Sequence, residues 1–116
     1  MNQFICYPKC STCKNAQKYL DEHNVEYEFR DIKEDRLNVE ELTHIYEMSG
    51  LPLKRFFNTS GLLYKEHNLK EKLPTMSEKE QLELLSTNGM LVKRPIFVKG
   101  NTVLVGFKED AYSKII

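Results

Sequence analysis

"ICYPKCSTCKNAQKYL", residues 5–20, holds all three cysteines of the chain within eight positions and passes from β-forming residues through a proline into a helical pattern. "FICY" (Phe4 to Tyr7) is short and rich in β-formers, and Pro8, which cannot donate to a central ladder, ends it as a first strand. From Thr12 onward Ala16, Tyr19 and Leu20 recur at three- and four-residue spacing, and "DEHN" closes that segment with Asn24 as a helix stop. Cys10-Ser11-Thr12-Cys13 therefore falls on a strand-to-helix turn.

A thiol at a helix N-terminus meets the positive end of the helix dipole and unpaired backbone N–H groups. Thiol pKa values in such places fall from about 8.5 to roughly 3.5–7.5, which makes a nucleophilic thiolate at neutral pH. Cys10 has that position. Cys13, three residues further on the first helical turn, lies within reach to resolve a mixed disulfide formed on Cys10. Lys14 adds positive charge, and Ser11 and Thr12 offer hydroxyls to a thiolate or a bound anion. Cys6, inside the predicted strand, is expected to be a buried, inert thiol packing as a small hydrophobe and is left out of the site. A zinc site needs four ligands; one C-x-x-C supplies two, no second follows, and His23, His44 and His67 stand singly on polar stretches, so no metal is expected.

Downstream, "VEYEFRDI" alternates Val25, Tyr27 and Phe29 with Glu26, Glu28 and Arg30, the period of a half-buried second strand. "NVEELTHIYEMSG" predicts a helix with Asn38 as N-cap, acidic residues in its first turn, a stripe of Leu42, Ile45, Tyr46 and Met48, and Gly50 as its stop. Brief helices and turns are expected over "LPLKRFFNTSGLLYKEHNLKEKLPT". Ser77 and Glu80 then form a capping box for another helix stopped at Gly89. "KRPIFVKGNTVLVGF" reads as a hairpin of two strands around Lys99-Gly100-Asn101, and "KEDAYSKII" as a short terminal helix. The order is α/β with a mixed sheet, the order found in thioredoxin-like proteins.

One hundred and sixteen residues, 41% hydrophobic and 29% charged, suit one folded domain over residues 1–116. Seventeen basic residues balance seventeen acidic ones, so no global field draws the chain to nucleic acid or an anionic membrane, and neither is expected as a partner. "MNQFICYPKC" lacks a basic leader before an apolar stretch, and no apolar run approaches about 18 residues, so a cytosolic location is expected. An odd, small number of cysteines also argues against a secreted disulfide scaffold.

"YPKCSTCKNA", "KRPIFV" and "LVGFKED", in that order and spacing across essentially the whole chain, resemble the arsenate reductase-like branch of the thioredoxin-like superfamily, which includes the Spx regulators. The resemblance implies a thioredoxin-like mixed four-stranded sheet flanked by helices, with a helical insertion between the second and third strands at about residues 38–89. It places a nucleophile at Cys10. It implies a proline, usually cis, lying against the dithiol at Pro95, and before it an arginine, Arg94, that holds an anion or keeps the thiol ionised.

Three functions follow as expectations. The first is thiol–disulfide exchange on a protein or low-molecular-weight disulfide, with glutathione or a thioredoxin/glutaredoxin-type protein as electron donor, no bound cofactor and a monomeric protein. The second is a redox sensor of Spx type that binds the RNA polymerase α subunit; those regulators usually carry a polar, basic extension beyond the point corresponding to Ile116. The third is glutathione/glutaredoxin-dependent arsenate reduction. Two further arginines of the arsenate reductases fall on Asn58, with Arg55 nearby, and on Gly106-Phe107-Lys108, which weighs against the third reading. Cys13 is a feature of the Spx-like members.

Overall fold

The computed structural model describes residues 2–116. A four-stranded mixed sheet in the order β2-β1-β3-β4 forms its centre, made of β1 (Gln3–Cys6), β2 (Glu28–Asp31), β3 (Ile96–Lys99) and β4 (Thr102–Val105). β1 pairs parallel with β2 and antiparallel with β3, and β3 pairs antiparallel with β4. The helices are α1 (Ser11–Glu22), α2 (Val39–Ser49), α3 (Leu62–Glu66), α4 (Leu69–Lys72), α5 (Glu78–Thr87) and α6 (Glu109–Ser113). The expected α/β architecture is present, with α2 to α5 and three short 3-10 turns inserted between β2 and β3.

Strand alternation sorts the core into two layers. Ile5 and Ile96 face the insertion, where Leu42 and Ile45 of α2 and Leu82 and Leu85 of α5 cover them. Phe4, Cys6 and Phe97 face the other way, onto Cys13, Ala16 and Leu20 of α1 and Tyr112 of α6. The fully buried Tyr112 ring stacks on Phe97 at 5.5 Å, anchoring the short terminal helix that the sequence predicts.

Local signals place most boundaries. Asn38 with Glu41 and Ser77 with Glu80 form reciprocal capping boxes, and Gly50 ends α2 in the left-handed region at φ 67°. Asn24 likewise turns the chain at φ 57°, and Gly100 opens the two-residue hairpin loop at φ 59°. Two expectations differ. Phe29, expected on the buried face of β2, is 41% exposed because β2 is an edge strand, and Ile32 just beyond it fills the core instead. Gly89 is no left-handed stop. It begins a 3-10 turn (Gly89–Leu91) pressed against the Ile32 backbone, where an added Cβ would lie 1.9 Å from the Ile32 carbonyl oxygen.

Arg30 ties β2 to α2. Its guanidinium makes a two-pronged ion pair with Glu41 and donates to the backbone carbonyls of Asp35 and Arg36. The hydrogen bond from Arg30 holds the Glu41 carboxyl below the ordinary glutamate value, against the opposing effect of burial. A depressed carboxylate contributes its stability above the unfolded pKa, about 4.3, and loses it as pH falls through the folded value. Arg30→Ala is therefore expected to cost about 1 kcal/mol at neutral pH, and the gap to wild type should narrow in acid below that window. Urea unfolding at both pH values measures it; an equal gap at both would contradict the assignment.

Candidate redox site

The chain leaves β1 at Cys6 and turns at once. The Cys10 N–H donates to the Tyr7 carbonyl at 2.9 Å, closing a turn with Pro8 at its second position, where a fixed φ is favourable. Cys10 is the N-cap residue of α1, extended at φ −85° and ψ 126°, and its carbonyl accepts from the Lys14 N–H at 3.0 Å. Its side chain is partly exposed and is joined to no other cysteine. No acidic residue occupies the first turn of α1 to repel a thiolate.

Several groups act on the Cys10 sulfur. Burial pushes its pKa up, but the backbone N–H of Cys13, the charge of Arg94, the backbone N–H of Thr12 and a hydrogen bond from Arg94 outweigh it, and the thiol sits below its ordinary value. The Cys10 side chain closes no capping hydrogen bond of ordinary geometry, so the helix acts on it chiefly through the aligned charge of its N–H groups.

Arg94 arrives from the segment that leads into β3, the strand beside β1. The Arg94–Pro95 peptide bond is cis, and Pro95 is buried, its carbonyl accepting from the Gly106 N–H at 2.8 Å. A bridge between Phe57 and Val92 fixes the preceding backbone to the insertion. The guanidinium carbon of Arg94 lies 5.5 Å from the centre of the Tyr7 ring, and one terminal nitrogen donates to the Val92 carbonyl at 3.5 Å. Its Nε is buried and has no protein partner among the described residues. A planar cation held on an aromatic face beside a reactive thiol, with one donor unspent, is suited to an oxyanion or thiolate.

Cys13 takes a different place from the one its spacing to Cys10 suggests. On α1 it shares the buried stripe with Ala16 and Leu20 and is 1% exposed. That stripe packs on the face of β1 carrying Phe4 and Cys6, so the Cys13 sulfur meets that of Cys6, with the two Cα atoms 5.8 Å apart. The Tyr7 N–H also donates to the Cys13 sulfur at 3.3 Å. Cys6, set aside from the site on sequence grounds, is thus buried as expected but contiguous with it. The signal was present in the alternation of β1, which puts Phe4 and Cys6 on one face.

The remaining residues divide. Ser11, Thr12 and Lys14 are exposed on the first turn of α1. Lys14 borders a shallow depression with Gln17, Lys18, Asp21 and Glu22, and the cation acting on Cys10 is Arg94. Thr12 borders a groove of about 560 Å³ that also takes in Arg55, Lys93 and Lys108, three cations from separate segments that sequence order does not bring together. Asn58, where the arsenate reductases have an arginine, instead spends its amide on the Met90 carbonyl at 3.4 Å. No group of three His, Cys, Asp or Glu side chains arranged for a metal occurs among the described residues.

Arg94→Ala removes both the nearest charge and a hydrogen bond from the Cys10 sulfur. It is expected to raise the Cys10 pKa and slow alkylation at neutral pH, with Arg94→Lys recovering part of the effect; thiolate absorbance against pH measures the shift. An unchanged midpoint would remove Arg94 from the site.

A model of the ArsC family matches residues 6–115. The protein YusI of Bacillus subtilis, described as uncharacterized, is 56% identical over 111 residues, covering 96% of this chain and 94% of that protein. The global transcriptional regulator Spx of Enterococcus faecalis is 30% identical over 109 residues, covering 94% of this chain and 81% of the regulator. Among solved structures, an ArsC family related protein from Bacteroides fragilis superposes with a TM-score of 0.96 at 54% identity, covering 99% of this chain and 97% of that one.

Proposed function

The chain belongs to the ArsC family, and we propose that its chemistry within that family is thiol–disulfide exchange, with Cys10 as the attacking thiolate. The observation that carries this reading is the partly exposed Cys10 thiol, lowered in pKa at the N-cap of α1 beside Arg94. Cys10 attacks one sulfur of a substrate disulfide and expels the other as a thiolate, leaving a mixed disulfide. A second protein cysteine attacks the Cys10 sulfur and releases the remaining half of the substrate; Cys13, on the first turn of α1, has that role. Arg94 steadies the thiolate and an anionic substrate group, while Pro95 shapes the wall against which the substrate lies. Ser11, Thr12 and Lys14 line the approach. The substrate class is a protein or low-molecular-weight disulfide. A reducing cytosol suits this cycle, with glutathione or a thioredoxin/glutaredoxin-type protein returning the monomeric protein to its thiol form. Among the described residues no helix is long and apolar enough to cross a membrane.

Cys13→Ser tests the resolving step. Mixed with oxidised glutathione, this variant should accumulate a glutathione adduct on Cys10 that wild type clears; mass spectrometry reads the adduct. An adduct as transient as in wild type would take the role away from Cys13.

The similarity to Spx supports a second reading, in which the oxidation state of Cys10 and Cys13 controls binding to the RNA polymerase α subunit. Association with isolated α subunit under reducing but not oxidising conditions, or the reverse, would favour it, and no binding in either state would end it. Arsenate reduction is a third, since the unspent Arg94 Nε and the cations Arg55, Lys93 and Lys108 favour an anion near Cys10. A flat trace in an arsenate-dependent NADPH assay coupled through glutathione and glutaredoxin would dismiss it.

A further inference from the structure

Cys6 is a nucleophilic side chain that the exchange cycle above does not use. It closes β1, is 1% exposed, and lies against Cys13, which is equally buried. The Cα separation of 5.8 Å is within the range spanned by disulfide-linked pairs, and both side chains belong to one packed cluster with Phe4, Ala16 and Phe97. Cys13 thus meets Cys6 across the sheet, and Cys10, three residues before it at the start of the same helix, packs against the same cluster. Only Cys10 of the three reaches solvent.

We propose that Cys6 is a third redox-active residue, and that an oxidising equivalent taken up at Cys10 passes through Cys13 to a buried Cys6–Cys13 disulfide, leaving Cys10 free. This rests on the reading of Cys10 as the nucleophile of disulfide exchange. A low-molecular-weight disulfide first oxidises the Cys10–Cys13 pair, releasing two thiols. The Cys6 sulfur then attacks the Cys13 sulfur, forming the Cys6–Cys13 bond and breaking the Cys10–Cys13 bond. The bonding pair leaves with Cys10 as a thiolate, and the Cys6 proton is released to water. One disulfide is broken and one formed, so this step needs no further oxidant. Two protein thiols are oxidised and one external disulfide is reduced in the whole sequence.

Chemistry favours this direction. Exchange proceeds faster toward the thiol with the lower pKa as leaving group, and the Cys10 thiolate is the one that Arg94 and the helix N–H groups stabilise. The Cys6 and Cys13 sulfurs are held in a dry, apolar cluster, where a neutral disulfide is better accommodated than a thiolate. The burial also means that an external disulfide has to pass through Cys10. The oxidised protein would keep a reactive surface thiol while its disulfide is shielded, which separates storage of the oxidation from the point of attack.

The test is to treat reduced protein with oxidised glutathione, quench with an alkylating reagent and map the cysteines by mass spectrometry. Wild type is expected to end with Cys6 joined to Cys13 and Cys10 alkylated. Cys6→Ala, which removes only a sulfur and whose fold circular dichroism verifies, is expected to stop at a Cys10–Cys13 disulfide. Cys10→Ser is expected to slow formation of the Cys6–Cys13 bond by about 100-fold or more, because both remaining sulfurs are buried. If wild type ends with Cys10 joined to Cys13 and Cys6 free, the relay is overturned while exchange at Cys10 stands. If Cys10→Ser forms the buried disulfide at the wild-type rate, or wild type forms no disulfide, both fail.

Discussion

Cys10→Ser is expected to lower the turnover of a disulfide substrate by about 1,000-fold or more with no change in fold, because it exchanges an ionisable sulfur nucleophile for a hydroxyl that stays protonated at neutral pH. The size of the loss follows from the site. Cys6 and Cys13 are both 1% exposed, so neither substitutes for Cys10 as a point of attack. The N–H groups of Thr12 and Cys13 and the Arg94 guanidinium act together on the Cys10 sulfur. Coupled turnover of oxidised glutathione, with circular dichroism as the control for folding, measures the effect. Activity within a few-fold of wild type would mean that exchange does not begin at Cys10.

The second large effect concerns stability. Gly89→Ala is expected to cost about 3 kcal/mol or more, or to prevent folding, since overpacking against a rigid neighbour cannot be relieved by a rotamer change. The new Cβ would lie 1.9 Å from the Ile32 carbonyl oxygen and 2.7 Å from its carbon, and both are backbone atoms following β2. Relief would require the insertion to move away from the sheet. Gly100→Ala is the contrast. There φ is +59° with nothing within 4 Å of the added atom, so the cost is conformational only, about 1 kcal/mol. Denaturant unfolding of the two variants compares them, and equal costs would mean that the Gly89 contact yields.

These two positions show what the sequence makes legible. The C-x-x-C on a strand-to-helix turn is a local pattern: Pro8 ends β1, the apolar stripe begins in α1, and Cys10 is left at the N-cap. The capping boxes at Asn38 and Ser77 and the left-handed Gly50 are equally local, each settled within four residues. With the strand and helix periodicities they give the α/β order, while the insertion between the second and third strands is what the family resemblance implies. Interactions between distant segments are not written in this way. Gly89 looks like a helix stop until the Ile32 carbonyl is brought against it. Phe29 alternates correctly but faces outward because β2 has a neighbour on one side only.

The site divides along the same line. Cys10 could be named because it terminates a recognisable turn, whereas Arg94 is named only by the resemblance, which places an arginine before the proline that opens the third strand. The contact between Cys6 and Cys13 depends on how α1 is rotated over β1, which the spacing of the cysteines leaves undetermined. The grouping of Arg55, Lys93 and Lys108 around one groove depends on how the insertion packs beside the hairpin. Tyr7, which supports the Arg94 guanidinium, carries no sequence signal beyond its place in a β-rich run.

Single-turnover mixing of reduced protein with oxidised glutathione, quenched in acid at successive times and read by mass spectrometry, tests the central claim most directly. Exchange through Cys10 predicts that a glutathione adduct appears first on Cys10 and is then replaced by an intramolecular disulfide as the second glutathione is released. The rate of the first step should rise with pH through a midpoint below that of an ordinary thiol. A first adduct on any other residue, or none while the protein remains folded, would contradict it.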